Sequence, residues 1–123
     1  MRVSKLIGTP KQIAWAEALR SEYLAKFEAD VALVGARQDE INANRPIPFP
    51  TIEDLRTLLY GAKLASTWIA GRPNYCGVIE EIWTVMAREA QTRQERGLWR
   101  SHREYLRKFG RVSKRLHASA RGE

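Results

Sequence analysis

Cysteine and histidine are scarce in this chain. The single cysteine, Cys76, cannot form a disulfide within the chain, and such cysteine usage is typical of a reducing compartment. The two histidines, His102 and His117, lie 15 positions apart, a spacing that matches no common zinc module. We therefore expect no bound metal and no other cofactor. The alternative is a site that the fold assembles from Cys76, His102 and a carboxylate.

Long apolar runs are also missing. No stretch approaches the ~18 apolar residues that mark a membrane-spanning helix. The first eight residues hold no apolar stretch of signal-peptide length. These absences predict a soluble, cytoplasmic protein with no membrane partner.

Sequence signatures of catalysis are missing as well. The eight glycines are scattered and form no phosphate-binding loop. Adjacent carboxylates such as Glu80 and Glu81 diverge by ~100° on a helix, so they cannot face one site. We expect a protein that is not an enzyme and has no catalytic residues.

Basic residues outnumber acidic ones, and the excess is confined to one part of the chain. Residues 1–87 contain ten basic and ten acidic side chains, whereas residues 88–123 contain eleven basic and four acidic ones. The net charge of +7 at pH 7 therefore belongs to the C-terminal segment. Such asymmetry favours an anionic partner.

Hydrophobic periodicity predicts an all-α fold, a single domain over residues 1–123 with three to four helices. We expect residues 1–8 to be extended. Thr9 and Gln12 then form a capping box around Pro10, which fits the first position of a long N-terminal helix.

The first helix has two candidate ends, Gly35 and Asn42. A helix that continued to Asn42 would be ~50 Å long and would project from a domain of this size. Its free end would then suit a partner or a second copy in a homodimer. Alternating prolines predict an extended connector at 42–50.

Two further helices are predicted after the connector. Thr51 caps the second helix, and Gly71 followed by proline ends it. Asn74 is the predicted cap of the third helix, whose apolar stripe includes Trp83.

The clearest pattern is a basic amphipathic helix predicted at 97–117, followed by a frayed tail at 118–123. Basic residues recur there at three- and four-residue steps, so at ~100° per residue they share one narrow face. This face, the cationic ridge, consists of Arg96, Arg100, Arg103, Arg107, Arg111 and Lys114. The opposite face consists of Leu98, His102, Tyr105, Phe109, Val112 and Leu116. Gly97 either separates this helix from the third or lies within one continuous helix.

The cationic ridge predicts a binding function. Arginine suits bidentate contacts with phosphates, and binding of this kind weakens as salt rises. We expect no acidic or amide side chain on the ridge face, so base readout should be poor and binding mainly non-specific. An acidic protein or nucleoprotein surface is an alternative partner. A solvated face that only keeps the protein soluble is a further interpretation.

Two stretches of the sequence carry recognisable motifs. The first, GTPKQIAWAE at 8–17, has the form G-T/S-x-K-Q-I-x-W-A-E, and the second, ASTWIAGR at 65–72, has the form A-S/K-x-W-I…R. Together they resemble a family of small proteins from phages, plasmids and other bacterial mobile elements. The second stretch departs from the family pattern at Thr67 and Ala70. We expect Trp15 and Trp68, one from each stretch, to pack the first two helices together.

The resemblance implies no activity and no site residue. It implies a bacterial or phage-encoded setting, in which small binders, regulators and inhibitors of host defence are common. We therefore expect a non-enzymatic accessory protein that binds DNA or RNA through the cationic ridge. The alternative is an interaction module that inhibits or recruits a host complex, for example an anti-CRISPR inhibitor.

Overall fold

The computed structural model describes residues 2–35, 52–120 and 122. These residues form five helices and no strand, which confirms the all-α class but makes the predicted number of three to four helices wrong. The helices are α1 (Pro10–Val34), α2 (Ile52–Gly61), α3 (Ala65–Ala70), α4 (Tyr75–Glu89) and α5 (Arg93–Ala120). Within the described ranges, no helix has both the length and the apolar character that crossing a bilayer requires.

The start of α1 is the predicted capping box. The Thr9 hydroxyl accepts a hydrogen bond from the Gln12 amide at 3.2 Å, and Gln12 Oε1 accepts one from the Thr9 amide at 3.1 Å. Pro10 follows at the first helical position, where its missing N–H has no partner to lose. Local sequence alone therefore determines where this helix begins.

The end of α1 is at Val34, and Gly35 is its C-cap. The predicted extension to Asn42, the proposed homodimer contact at that extension and the connector at 42–50 lie outside the described residues.

The predicted second helix is two helices in the structure. α2 and α3 are separated because the extended N-terminal segment occupies the gap between them, where Ile7 forms a parallel bridge with Leu64. The Ile7 amide donates to the carbonyl of Lys63 at 2.7 Å. The Ala65 amide donates to the Ile7 carbonyl at 3.0 Å. In a continuous helix, the carbonyl of Lys63 and the amide of Ala65 would be hydrogen-bonded within the helix itself. Here they are bonded to Ile7 instead, so a tertiary contact with the N-terminal segment causes the break.

α3 and α4 meet through two glycines. A Cβ on Gly77 would collide with the carbonyl oxygen of Gly71, and a Cβ on Gly71 would collide with the backbone of Val78. Asn74 caps α4 as predicted, with Oδ1 accepting a hydrogen bond from the Gly77 amide at 3.1 Å. The tight turn between these helices therefore requires the absence of a side chain at both glycines.

The core is built largely from aromatic side chains. Its largest fully buried members are Trp68, Trp83, Tyr105, Phe27 and Phe109. The ring centroid of Phe27 on α1 lies 5.3 Å from that of Tyr75 on α4 and 6.5 Å from that of Phe109 on α5. Phe27 therefore holds three helices together.

Trp15 does not take part in this core. Its side chain is 45% exposed, and the guanidinium of Arg72 lies 4.2 Å from the centre of its ring. The prediction that the two tryptophans pack the first two predicted helices together is therefore confirmed for Trp68, whose ring centroid lies 6.3 Å from that of Tyr23 on α1, and wrong for Trp15. A cation–π contact with the start of the α3–α4 turn replaces the expected packing.

Candidate nucleic-acid interface

The helix that carries the cationic ridge is fixed at its start by a local cap. Thr92 Oγ1 accepts a hydrogen bond from the Glu95 amide at 3.1 Å, and Glu95 Oε2 accepts one from the Gln91 amide at 3.0 Å. Gly97 lies inside α5, four residues after its first residue, and a Cβ there would meet nothing. The cap therefore places the break between α4 and α5 before Arg93. The helix also continues through residues 118–120, the first part of the predicted frayed tail.

One face of α5 is packed into the core, as predicted. Tyr105 and Phe109 are fully buried, and Val112 and Leu116 are partly buried against the same cluster. His102 packs edge-on against Trp83 of α4, with ring centroids 5.4 Å apart. These contacts fix the rotation of α5 about its axis and therefore the direction of its polar face.

The cationic ridge points to solvent along most of its length. Its exposed members are Arg96, Arg100, Arg107, Arg111 and Lys114. Arg103 differs, because it is half-buried and donates through Nη2 to Thr84 Oγ1 of α4 at 2.8 Å. Thr84 in turn donates to the carbonyl oxygen of Glu80 at 2.7 Å. Arg103 therefore joins two helices as well as contributing charge.

One acidic residue interrupts the ridge. Glu104 is exposed and lies four residues after Arg100 and three before Arg107, which places it on the same face of α5. The expectation that this face carries no acidic side chain is therefore wrong. Glu104 lowers the net charge of the central part of the ridge by one.

Three ridge residues also line a shallow basin between α4 and α5. The basin has a volume of ≈ 250 Å³. Its lining is Arg96, Arg100 and Arg103 together with Thr84, Ala87 and Arg88 of α4. Arg88 belongs to the basic segment of the sequence but lies outside the predicted ridge. Only the packing of α4 on α5 brings it to the other three arginines.

The cavity at the other end of the ridge contains a buried carboxylate. Lys114 lines this cavity of ≈ 390 Å³, and Asp30 of α1, which is 4% exposed, lies within it. Asp30 accepts hydrogen bonds from Tyr75 Oη at 2.5 Å and from His117 Nε2 at 2.6 Å. Lys26 Nζ lies 3.0 Å from the same carboxylate. This cluster joins α1, α4 and α5.

The environment of this cluster lowers the pKa of Asp30 and raises the pKa of Cys76. Burial raises the pKa of Asp30, but the hydrogen bonds from Tyr75, His117 and Lys26 outweigh burial and hold this pKa below its ordinary value. Burial, with the nearby charges of Asp30 and Glu80, raises the pKa of Cys76 to about 12. Cys76 is therefore a thiol at neutral pH and a poor nucleophile.

The sequence contains one signal of the Asp30 cluster, which none of our predictions used. Asp30 lies three residues after Phe27 and four before Val34, so it falls on the apolar face of α1. A charged residue on a buried face needs partners. The identity of those partners could not be read from the sequence, because Tyr75 and His117 lie on other helices.

The structure does not bring Cys76 and His102 together. His102 packs beside Trp83, about two helical turns along α4 from Cys76. Across the part of the chain that the structure describes, no group of three or more His, Cys, Asp or Glu side chains is arranged to hold a metal ion.

Comparison of the chain with protein-family models, curated proteins and solved structures finds no match.

Proposed function

We propose that this protein binds DNA or RNA, chiefly through phosphate contacts along the cationic ridge. It would act as a non-enzymatic accessory protein of phage or mobile-element type in the bacterial cytoplasm. The observation that carries the proposal is the contrast between the two faces of α5. Tyr105 and Phe109 are fully buried on one face, while five cationic side chains are exposed on the other.

The dimensions and chemistry of the ridge support phosphate binding. Arg96 and Lys114 are 18 residues apart on one helix, so the ridge is ~27 Å long. Each arginine offers a planar fork of donors that matches the oxygens of a phosphate. Phosphate contacts carry no sequence information, so binding should be largely non-specific.

A salt titration tests the proposal. Binding of random-sequence duplex and single-stranded DNA would be followed by fluorescence anisotropy between about 50 and 200 mM salt. We expect micromolar or tighter binding at the lower salt and a log–log slope of about −4, because about five phosphates would be neutralised. An absence of binding at about 50 mM salt, with the fold intact, would contradict the proposal. That result would favour the alternative partner, an acidic protein surface such as that of a host nucleoprotein targeted by an anti-CRISPR inhibitor.

A pair of matched variants separates the ridge from net charge. The ridge variant carries Arg100→Gln, Arg107→Gln and Arg111→Gln, all exposed positions. The control carries Lys5→Gln, Lys11→Gln and Lys63→Gln, which are also exposed but lie near the start of α1. We expect the ridge variant to lose about three units of salt slope and the control to lose almost none. Equal losses in both would mean that charge acts without a defined surface.

A further inference from the structure

The basin between α4 and α5 concentrates positive charge more than the rest of the ridge. Arg88, Arg96, Arg100 and Arg103 line a space of ≈ 250 Å³, and no acidic side chain is among its described lining residues. The nearby Glu95 is engaged elsewhere, since its Oε2 accepts a hydrogen bond from the Gln91 amide at 3.0 Å. Four cationic side chains around one small space repel one another unless an anion lies between them.

Part of the basin is already held in place. Arg103 donates to Thr84 Oγ1 at 2.8 Å, and Thr84 donates to the carbonyl oxygen of Glu80 at 2.7 Å. This chain of hydrogen bonds fixes one guanidinium against α4. A pre-positioned donor loses less conformational entropy on binding a ligand than a freely rotating side chain does.

We infer that the basin binds the terminal phosphate of a nucleic-acid strand, an inference that rests on the proposed function. A phosphomonoester carries a charge of about −1.5 to −2 at pH 7 and three acceptor oxygens. An internal phosphodiester carries less charge and one terminal oxygen fewer. The phosphomonoester therefore matches a basin lined by four arginines better than an internal phosphate does.

The two ends of the ridge differ in charge, and this difference favours the basin as the site for the end of a nucleic-acid strand. Arg96, Arg100 and Arg103 belong to both the basin and the ridge, so a strand anchored there continues over Arg107 and Arg111. At the opposite end, Lys114 lines the cavity that holds the carboxylate of Asp30. That carboxylate offsets part of the positive charge of Lys26 and Lys114, whereas the charged residues that line the basin are all arginines.

The test compares single-stranded oligonucleotides of one sequence with a phosphate or a hydroxyl at the 5′ or 3′ end. We expect one phosphorylated form to bind about tenfold more tightly than its hydroxyl counterpart, the effect of about one added charge-assisted hydrogen bond. Arg88→Gln should abolish this preference and leave binding of the hydroxyl form nearly unchanged, because Arg88 is outside the ridge. The control Lys114→Gln should weaken all forms equally and retain the preference. Circular dichroism would verify that both variants are folded.

Three results would overturn the inference, and each can be distinguished from failure of the proposed function. Equal affinity for phosphorylated and hydroxyl ends, together with a steep salt slope, removes the end site but leaves ridge binding. A preference that survives Arg88→Gln places the end site elsewhere. A nucleoside monophosphate should compete more strongly than the unphosphorylated nucleoside for the phosphorylated oligonucleotide, and equal competition would also count against the basin. Absence of binding to every oligonucleotide would instead reject the proposed function itself.

Discussion

Asp30 shows how a single buried side chain connects distant parts of this chain. Lys26 lies one turn before it on α1, whereas Tyr75 and His117 reach it from α4 and α5. A buried carboxylate that loses its charge leaves these donors without their acceptor, and such losses are among the larger effects of single substitutions.

We predict that Asp30→Asn lowers the free energy of unfolding by about 3 kcal/mol, because a buried and paired charge is removed while its partners stay. Urea denaturation at pH 7 measures the change. The matched control is Glu22→Gln, which removes a carboxylate from an exposed position of the same helix. It should alter stability by about 0.5 kcal/mol or less.

The same site sets the response to acid. Hydrogen bonding to Tyr75, His117 and Lys26 holds the pKa of Asp30 below its ordinary value in spite of burial. A carboxyl whose pKa is lowered in the folded state adds stability above its unfolded pKa, and that stability is lost as pH falls through the folded pKa. Stability should therefore decline below about pH 4, and less steeply in Asp30→Asn. Parallel pH curves for the two proteins would contradict this assignment.

The close approach of α3 and α4 gives a second prediction for single residues. Gly77→Ala should destabilise the fold by about 3 kcal/mol or more, since its Cβ would collide with the Gly71 carbonyl oxygen. Gly110→Ala is the control, because a Cβ there meets nothing and lies within α5. It should stabilise the protein by about 0.5 to 1 kcal/mol. Thermal unfolding followed by circular dichroism distinguishes these opposite signs.

At the scale of helices, local signals were sufficient where the cause was local. The capping residues Thr9 and Asn74 and the amphipathic period of α5 could all be read from neighbours in the sequence. The division of α2 from α3 could not be predicted, because Ile7 causes it from more than 50 positions away. The sequence also could not decide whether Gly97 ends a helix or lies within one. A Cβ at this position would meet nothing, so the helix continues through it.

The candidate site likewise has parts that depend on local sequence and parts that depend on the packing of distant helices. The six residues of the ridge share a face for reasons of helical period alone. Arg88 joins the basin only because α4 packs beside α5. The half-burial of Arg103 likewise depends on Thr84, which lies on another helix.

Glu104 gives a prediction about α5 as a binding element. Glu104→Gln should increase affinity for nucleic acid several-fold at low salt and steepen the salt slope by about one unit, because an anion is removed from the phosphate-binding face. The cost to helix stability should be only about 0.5 kcal/mol, the usual size of an ion pair between neighbouring turns of a helix. Anisotropy titrations measure the affinity. Glu17→Gln, at an exposed position of α1, is the control and should leave the affinity almost unchanged.

At the scale of the whole molecule, the distribution of charge governs how a partner is approached. Residues 1–87 are neutral in sum, and the C-terminal segment carries the entire +7. An anionic polymer therefore attracts one side of the protein before contact.

This asymmetry predicts a strong dependence of the association rate on salt. In stopped-flow mixing with duplex DNA, we expect the association rate constant to fall about tenfold or more as ionic strength rises from about 50 to 200 mM. The ridge variant should associate slowly even at low salt, whereas the lysine control should retain fast association. An association rate that does not respond to salt would show that long-range attraction plays no part.

The length of the cationic ridge has a consequence for how many copies a long nucleic acid can hold. A ridge of ~27 Å covers about eight base pairs of duplex at 3.4 Å each. A chain bound at one position therefore blocks the overlapping positions on either side, and gaps shorter than the footprint stay empty as the polymer fills. Coverage of a long duplex should then rise over a wider range of protein concentration than binding to an oligonucleotide that accommodates one chain.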